Sequence, residues 1–363
     1  MHLRSLYSAA VIPTELIGSI PRPPALQVAA SDLRAGHGSD TELAANRSQA
    51  VRETLEKLAA TGSPVLTDGE QAKPSFLTYP LQGLSDLDPD GAVIPFADGH
   101  TRQLPRLTSG PFRYKTYAQE YLRAAKQHTD LPVKQAVVAP STLSLLYPPD
   151  GIAGYPREQF LDDLASEAET DIRGCLDAGA HVVQLDFEEG RLSLKLDPSG
   201  QLLRDLVELN NTVLSRFTEA ERARIGVHTG PGADLDSTHS LDVDYAELLP
   251  HLFKLTVGNF YLQLASEADP DRVLGIVADQ LRPGIRVFVG VTDPIDPRVE
   301  TAEEVRDRVL QAARHIPLDQ LGTCDDAGFA PFADDTSTSR DTAFAKIRAR
   351  VQGTALASEQ LGA

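Results

Sequence analysis

The run Arg224-Ile225-Gly226-Val227-His228-Thr229-Gly230-Pro231-Gly232 places an imidazole at the end of a short apolar stretch, directly before a glycine-rich turn. Polar residues end other apolar stretches in the same way. Ser19 and Arg22 follow 16–18, Asp68 and Glu70 follow 64–67, and Asp186, Glu188 and Glu189 follow 181–185. Asp293 and Asp296 follow 287–291, and Cys324, Asp325 and Asp326 follow 320–322. Paired carboxylates around one histidine can split their pKa values and supply a general acid and a general base near neutral pH. Asp186 and Glu70 carry the strongest expectation, because a carboxylate set against so apolar a run is partly buried and costly without a purpose. The others keep a structural alternative, since Asp and Glu in such loops also cap the helix that follows.

These groups can share a pocket only if the elements bring their ends together. Eight short apolar runs, at 16–18, 64–67, 134–138, 181–185, 225–227, 260–264, 287–291 and 320–322, read as strands. Helical periodicity fills 42–60, 157–178, 202–217, 245–253, 302–315 and 342–361, with start signals at Thr301 and Ser339. Strands alternating with helices predict parallel β/α units, and eight of them close an α/β (β/α)8 TIM barrel whose strand ends meet on one rim. Residues 76–128 are richer in Pro and Gly and longer than a βα loop requires. They predict an excursion over the barrel end that shapes substrate access, within a single domain spanning 1–363.

A hydrophobic fraction of 41% supports a substantial core, and a net charge of −18 argues against nucleic acid or an anionic membrane as partner. The expected partner is a small-molecule substrate, with a homodimer as the commonest assembly. Cys175 and Cys324 predict no disulfide. Residues 1–7 lack the apolar run of a secretion signal or membrane span, so the expected location is cytoplasmic. Gly18, Gly230 and Gly232 match no nucleotide-binding pattern.

Several stretches taken together resemble the cobalamin-independent methionine synthase family, in particular single-barrel proteins similar to its C-terminal catalytic half. They are Glu15-Leu16-Ile17-Gly18-Ser19-Ile20-Pro21-Arg22-Pro23, Thr67-Asp68-Gly69-Glu70, the run from Gln184 to Leu192, Val227-His228-Thr229-Gly230, the run from Asp293 to Glu300, and Asp325-Asp326-Ala327-Gly328-Phe329. The resemblance implies the same barrel, and a zinc ion that holds the acceptor thiol as a thiolate for methylation from a methylated folate. It implies zinc ligands at His228, at Gly230 and Ala327, where the family has cysteines, and at an acidic residue near the sixth strand, for which Glu267 stands in. Glycine and alanine offer no donor side chain. Cys324, three residues before Ala327, is the one thiol near enough to substitute. The family's histidine after the seventh strand falls near Ile295. The resemblance further assigns substrate binding to Ile17, Gly18, Ser19 and Arg22, and the substrate's amino group to Glu70 and Asp186.

These observations predict a diverged enzyme that acts on a small molecule by acid-base opening, elimination or rearrangement, without a metal or other cofactor. Asp186 or Glu189 serves as base, His228 as acid or electrophile, and Glu70 and Asp68 orient the substrate. The alternative is a zinc-dependent thiol methyl or alkyl transferase, of the methylated folate and homocysteine type or the epoxide and thiol type. A binding protein without catalysis is a third class, disfavoured because the acidic residues remain.

Overall fold

The computed structural model describes residues 11–363, so the expectation for 1–7 lies outside the described residues. Six strands, Gln135–Val138, Val183–Asp186, Ile225–Thr229, Asn259–Leu262, Arg286–Thr292 and Leu321–Asp325, pair in chain order into one parallel sheet. Both faces of these strands are covered, as a sheet between a filled barrel interior and a coat of helices requires. The first two predicted strands do not form ladders. Thr14 makes one parallel bridge to Thr323, and Leu66 one to Val133. The two segments meet where the Ile20 amide donates to the Gly69 carbonyl at 3.0 Å, closing the (β/α)8 barrel. Pro13 and Pro64 introduce these segments, and a residue without an N–H cannot extend a ladder.

All six predicted helices are present, within a few residues of the expected bounds. Thr301 and Glu304 form a reciprocal capping box, and the Ser339 side chain accepts from the Thr342 amide. Four further helices of eight residues or more, Pro24–Arg34, Ala118–Lys126, Glu189–Leu196 and Pro270–Gln280, went unforeseen. The first and last begin with proline in the first turn, a start signal that was available. Among the described residues no helix is long and apolar enough to cross a membrane.

Much of the 76–128 stretch folds over the rim. Val93–Pro95 pairs antiparallel with Thr101–Gln103, and Leu87–Asp88 with Arg106–Leu107. The first hairpin is tied down from both sides: the Ala97 amide donates to the Thr238 carbonyl at 2.9 Å, while Arg102 pairs with Asp234 and, at 3.0 Å, with Asp334. The stretch ends differently, because Ala118–Lys126 docks on the barrel, its first amide donating to Asp171 at 2.6 Å. Beneath the rim the barrel is packed by Ile17, Val182, Tyr261, Phe288 and Cys324, with the Tyr261 and Phe288 rings stacked at 4.6 Å.

Candidate active site

Strand register brings the central pair together. Asp186 is directly opposite His228 in the parallel pairing of Val183–Asp186 with Ile225–Thr229, so both side chains leave the sheet on the same side. Asp186 Oδ1 is 4.0 Å from His228 Nδ1 and accepts from Gln184 Nε2 at 2.7 Å. Glu188 reaches the same ring nitrogen at 2.7 Å. On the ring's far side, Nε2 lies 3.0 Å from the Asp326 carbonyl oxygen. Each ring nitrogen therefore faces a protein oxygen. Burial opposes a positive charge on the ring, but Glu188, then Asp186 and the Asp326 carbonyl, outweigh it and raise the His228 pKa.

Two carboxylates near it, Asp186 and Glu189, are shifted upward as well. Burial, reinforced by the charge of Glu70, pushes Asp186 up to about 7 against the pull of His228 and Lys73. Glu189, at the start of Glu189–Leu196, is also raised to about 7 by burial, although Ser141 and Thr142 both donate to it, the latter at 2.7 Å. Groups balanced near neutrality can take up and release protons at physiological pH.

Glu70 enters from the opposite wall on a tight turn. Both Gly69 and Glu70 have positive φ, 65° and 55°, a strained conformation for a residue with a side chain. Asp68 Oδ1 accepts from the Glu70 amide at 2.9 Å, and Arg22 Nη2 donates to the Glu70 carbonyl at 2.8 Å. Lys73 Nζ lies 3.3 Å from Glu70 Oε1.

Ile17, Gly18, Ser19, Glu70, Asp186, Glu188, Glu189 and His228 thus line one cleft of about 790 Å³, its mouth included. Arg22 and Asp68 are outside this lining and act on Glu70 from behind: Arg22 spends its terminal nitrogens on the carbonyls of Glu70, Lys73 and Ala330. The upper wall is apolar and comes largely from the excursion, through Phe76, Leu77, Ile94, Phe96 and Leu104.

The strand ends on the other side of the rim turn away from the cleft. Asp325 accepts from Arg350 Nε at 3.0 Å and Thr292 at 2.7 Å, Glu300 pairs with Lys346 at 2.9 Å, and neither lines the cleft. Asp326 accepts from the amides of Leu264, Ala265 and Ser266, each at 2.8 Å. Cys324 does not reach the rim as a substitute ligand: its Sγ is inside the barrel, 3.5 Å from the Phe288 carbonyl, because the strand alternation points residue 324 inward.

Among the cleft residues not singled out as site residues from sequence are Arg102, Thr142, Glu188 and His239. Glu188 was visible as the middle of an acidic trio, but its approach to His228 was not. His239 lines the cleft with its Nδ1 2.6 Å from Ser240 Oγ, and burial lowers its pKa to about 4. Its ring lies against Gly232, where any Cβ would collide with Nε2. A Gly-Pro-Gly turn followed by a loop histidine is a faint signal.

The donor set does not fit a zinc-thiolate centre. Positions 230 and 327 carry no donor, both His228 nitrogens face protein acceptors, and Glu267 is paired with Arg191 at 2.7 Å. Space for the missing side chain remains at 230: a Cβ there would lie 3.5 Å from Glu188 Oε2 and 3.6 Å from the Asp326 carbonyl oxygen, in ordinary contact.

Comparison with known proteins agrees with this architecture. The sequence model of the family described as "Cobalamin-independent synthase, Catalytic domain" matches residues 12–349. A methionine synthase from Sulfurisphaera tokodaii is 23% identical over 97% of this chain and 94% of its own length. A 5-methyltetrahydropteroyltriglutamate–homocysteine methyltransferase from Mycobacterium tuberculosis is 26% identical over 87% of this chain, which spans 40% of that protein. Among solved structures, a B12-independent methionine synthase from Shewanella sp. W3-18-1 in complex with selenomethionine superposes with a TM-score of 0.72 at 20% identity, covering 97% of this chain and 99% of that one.

Proposed function

The chain belongs to the cobalamin-independent synthase catalytic-domain family, and from that premise we propose that it is an enzyme that has exchanged zinc-thiolate chemistry for acid-base chemistry on a small, amine-bearing molecule. The observation that carries this reading is one cleft in which Glu70, Asp186, Glu188 and Glu189 surround His228, while the two positions that would supply thiolates are glycine and alanine. Glu70 and Asp186 suit an ammonium group, and the apolar wall from the excursion suits the carbon skeleton beside it. Asp186 is the more available base: among the described residues its Oδ2 accepts no protein hydrogen bond, whereas both Glu189 oxygens are engaged. His228, held between Glu188 and the Asp326 carbonyl with its pKa raised, stabilises in its protonated form the negative charge developing on the substrate. Opening, elimination and rearrangement reactions can all use this pairing of a base with a nearby positive charge.

A second reading, zinc-dependent transfer of a methyl or alkyl group to a thiol, is favoured by the relatives described as methionine synthases. Metal analysis separates the two. The expected result is a wild-type protein without tightly bound zinc and unable to methylate homocysteine from a methylated folate, and a Gly230→Cys/Ala327→Cys variant that takes up zinc. Stoichiometric zinc in the wild type, or homocysteine methylation by it, overturns the acid-base reading. With a substrate found by mass-spectrometric screening of small amines, Asp186→Asn should lower turnover by about 10²- to 10⁴-fold.

A further inference from the structure

A second cleft adjoins the acidic one across a wall of Leu77, Ile94, Arg102, Leu104 and Phe332, residues that line both. It opens between the Pro24–Arg34 and Asp40–Ala60 helices and the excursion hairpin, and holds about 1270 Å³ of empty space with its mouth. Its charge is the reverse of its neighbour's. Arg22, Arg34, Arg47, Lys73 and Arg102 face a single carboxylate, Asp334, in a chain whose net charge is −18. Collecting cations in one concavity costs mutual repulsion, and it raises the local concentration of anions there.

Not all of these cations are spent within the protein. Lys73 is engaged by Glu70 and by the Ala136 carbonyl at 2.9 Å, and Arg102 by Asp234 and Asp334. Arg22 gives its terminal nitrogens to carbonyls, but its buried Nε has no acceptor. Among the described residues Arg34 and Arg47 have neither an ion pair nor a side-chain hydrogen bond. The floor between them is apolar, formed by Leu26, Ala30 and Leu43. Packing of the two helices does not require the arginines, since Leu26, Ala29, Leu43 and Ala50 supply it.

We propose that this cleft is an anion-binding site for a small molecule carrying carboxylate or phosphate groups, which Arg34 and Arg47 grip while its carbon skeleton rests on the Leu26 and Leu43 floor. Guanidinium groups match both anions, because their planar fork donates two parallel hydrogen bonds to either. The site does not depend on the chemistry of the acidic cleft.

Calorimetric titration of the full chain at low ionic strength with pyrophosphate and, separately, with citrate tests the assignment. Arg34→Gln/Arg47→Gln is the test variant, and Arg157→Gln, at an exposed position on a distant helix, controls for loss of charge alone. Saturable binding of at least one anion is expected, weakened by about tenfold or more in the double variant and unchanged in the control. Preference for pyrophosphate assigns a phosphorylated ligand, and preference for citrate a polycarboxylate. Absence of saturable binding at millimolar anion, equal binding by the double variant with an unchanged circular dichroism spectrum, or an equal loss in Arg157→Gln overturns it.

Discussion

The rim after the Val183–Asp186 and Ile225–Thr229 strands and the rim after Arg286–Thr292 and Leu321–Asp325 look alike as sequence, each a strand end crowded with carboxylates. In three dimensions they do opposite work. Asp186, Glu188 and Glu189 face a cavity, and their balance of charge is with a histidine and with each other. Glu300 and Asp325 face the C-terminal helix Arg340–Leu361, where Lys346 and Arg350 neutralise them, and Asp326 closes a turn of backbone amides. What faces a strand-end carboxylate thus sets how it is engaged: Asp186 and Glu189 border open space, whereas Glu300 and Asp325 are held by buried cations and Asp326 by backbone amides.

Three changes test that division. Asp325→Ala should have the largest effect, because it strands Arg350 uncompensated in the interior: a loss of about 3–5 kcal/mol, read by urea denaturation. A loss below about 1 kcal/mol would show that the structural rim is no firmer than the chemical one.

Glu189→Gln should act in the opposite direction. With the folded pKa raised to about 7 from an ordinary 4.5, the folded state binds more protons between those values, so the Glu189 contribution is fully favourable below about pH 4.5 and is lost as pH rises through 7. The glutamine variant should then be about 1–3 kcal/mol more stable than wild type at pH 8, with little or no gain at pH 4.5. Thermal melts at the two pH values check this, and equal destabilisation at both would make Glu189 a structural residue like Asp325.

The smallest effect is expected at the excursion hairpin. Arg102→Gln removes the bridge from the excursion hairpin to Asp234 and Asp334, costing about 1–2 kcal/mol: the guanidinium is partly exposed, and His100, 3.1 Å from the buried Asp234 carboxylate, remains to pair with it. It should also speed proteolytic cleavage within 86–110, and an unchanged cleavage rate would mean that the hydrogen bond from Ala97 to Thr238 suffices to hold the hairpin.

The sequence by itself determined which residues end strands, hence the polar rim, the α/β barrel and the six strongly periodic helices. Short apolar runs with flanking turn residues, period-3.6 stripes and capping residues are local signals that survive without tertiary context. The family resemblance placed thiolate donors at 230 and 327, where the sequence itself reads Gly230 and Ala327. Only the tertiary structure decided the direction in which each rim side chain points. Alternation defines sidedness within a strand, but the first residue beyond it is free to turn. Adjacent Asp325 and Asp326 consequently serve the C-terminal helix and the turn at 264–266, respectively. The same holds for Arg22, whose partners at Glu70 and Ala330 are 48 and 308 residues away, and for Arg102, which meets Asp234 across 132 residues. No local pattern encodes such pairs, because they exist only once the barrel has closed and brought loops from distant β/α units over one mouth.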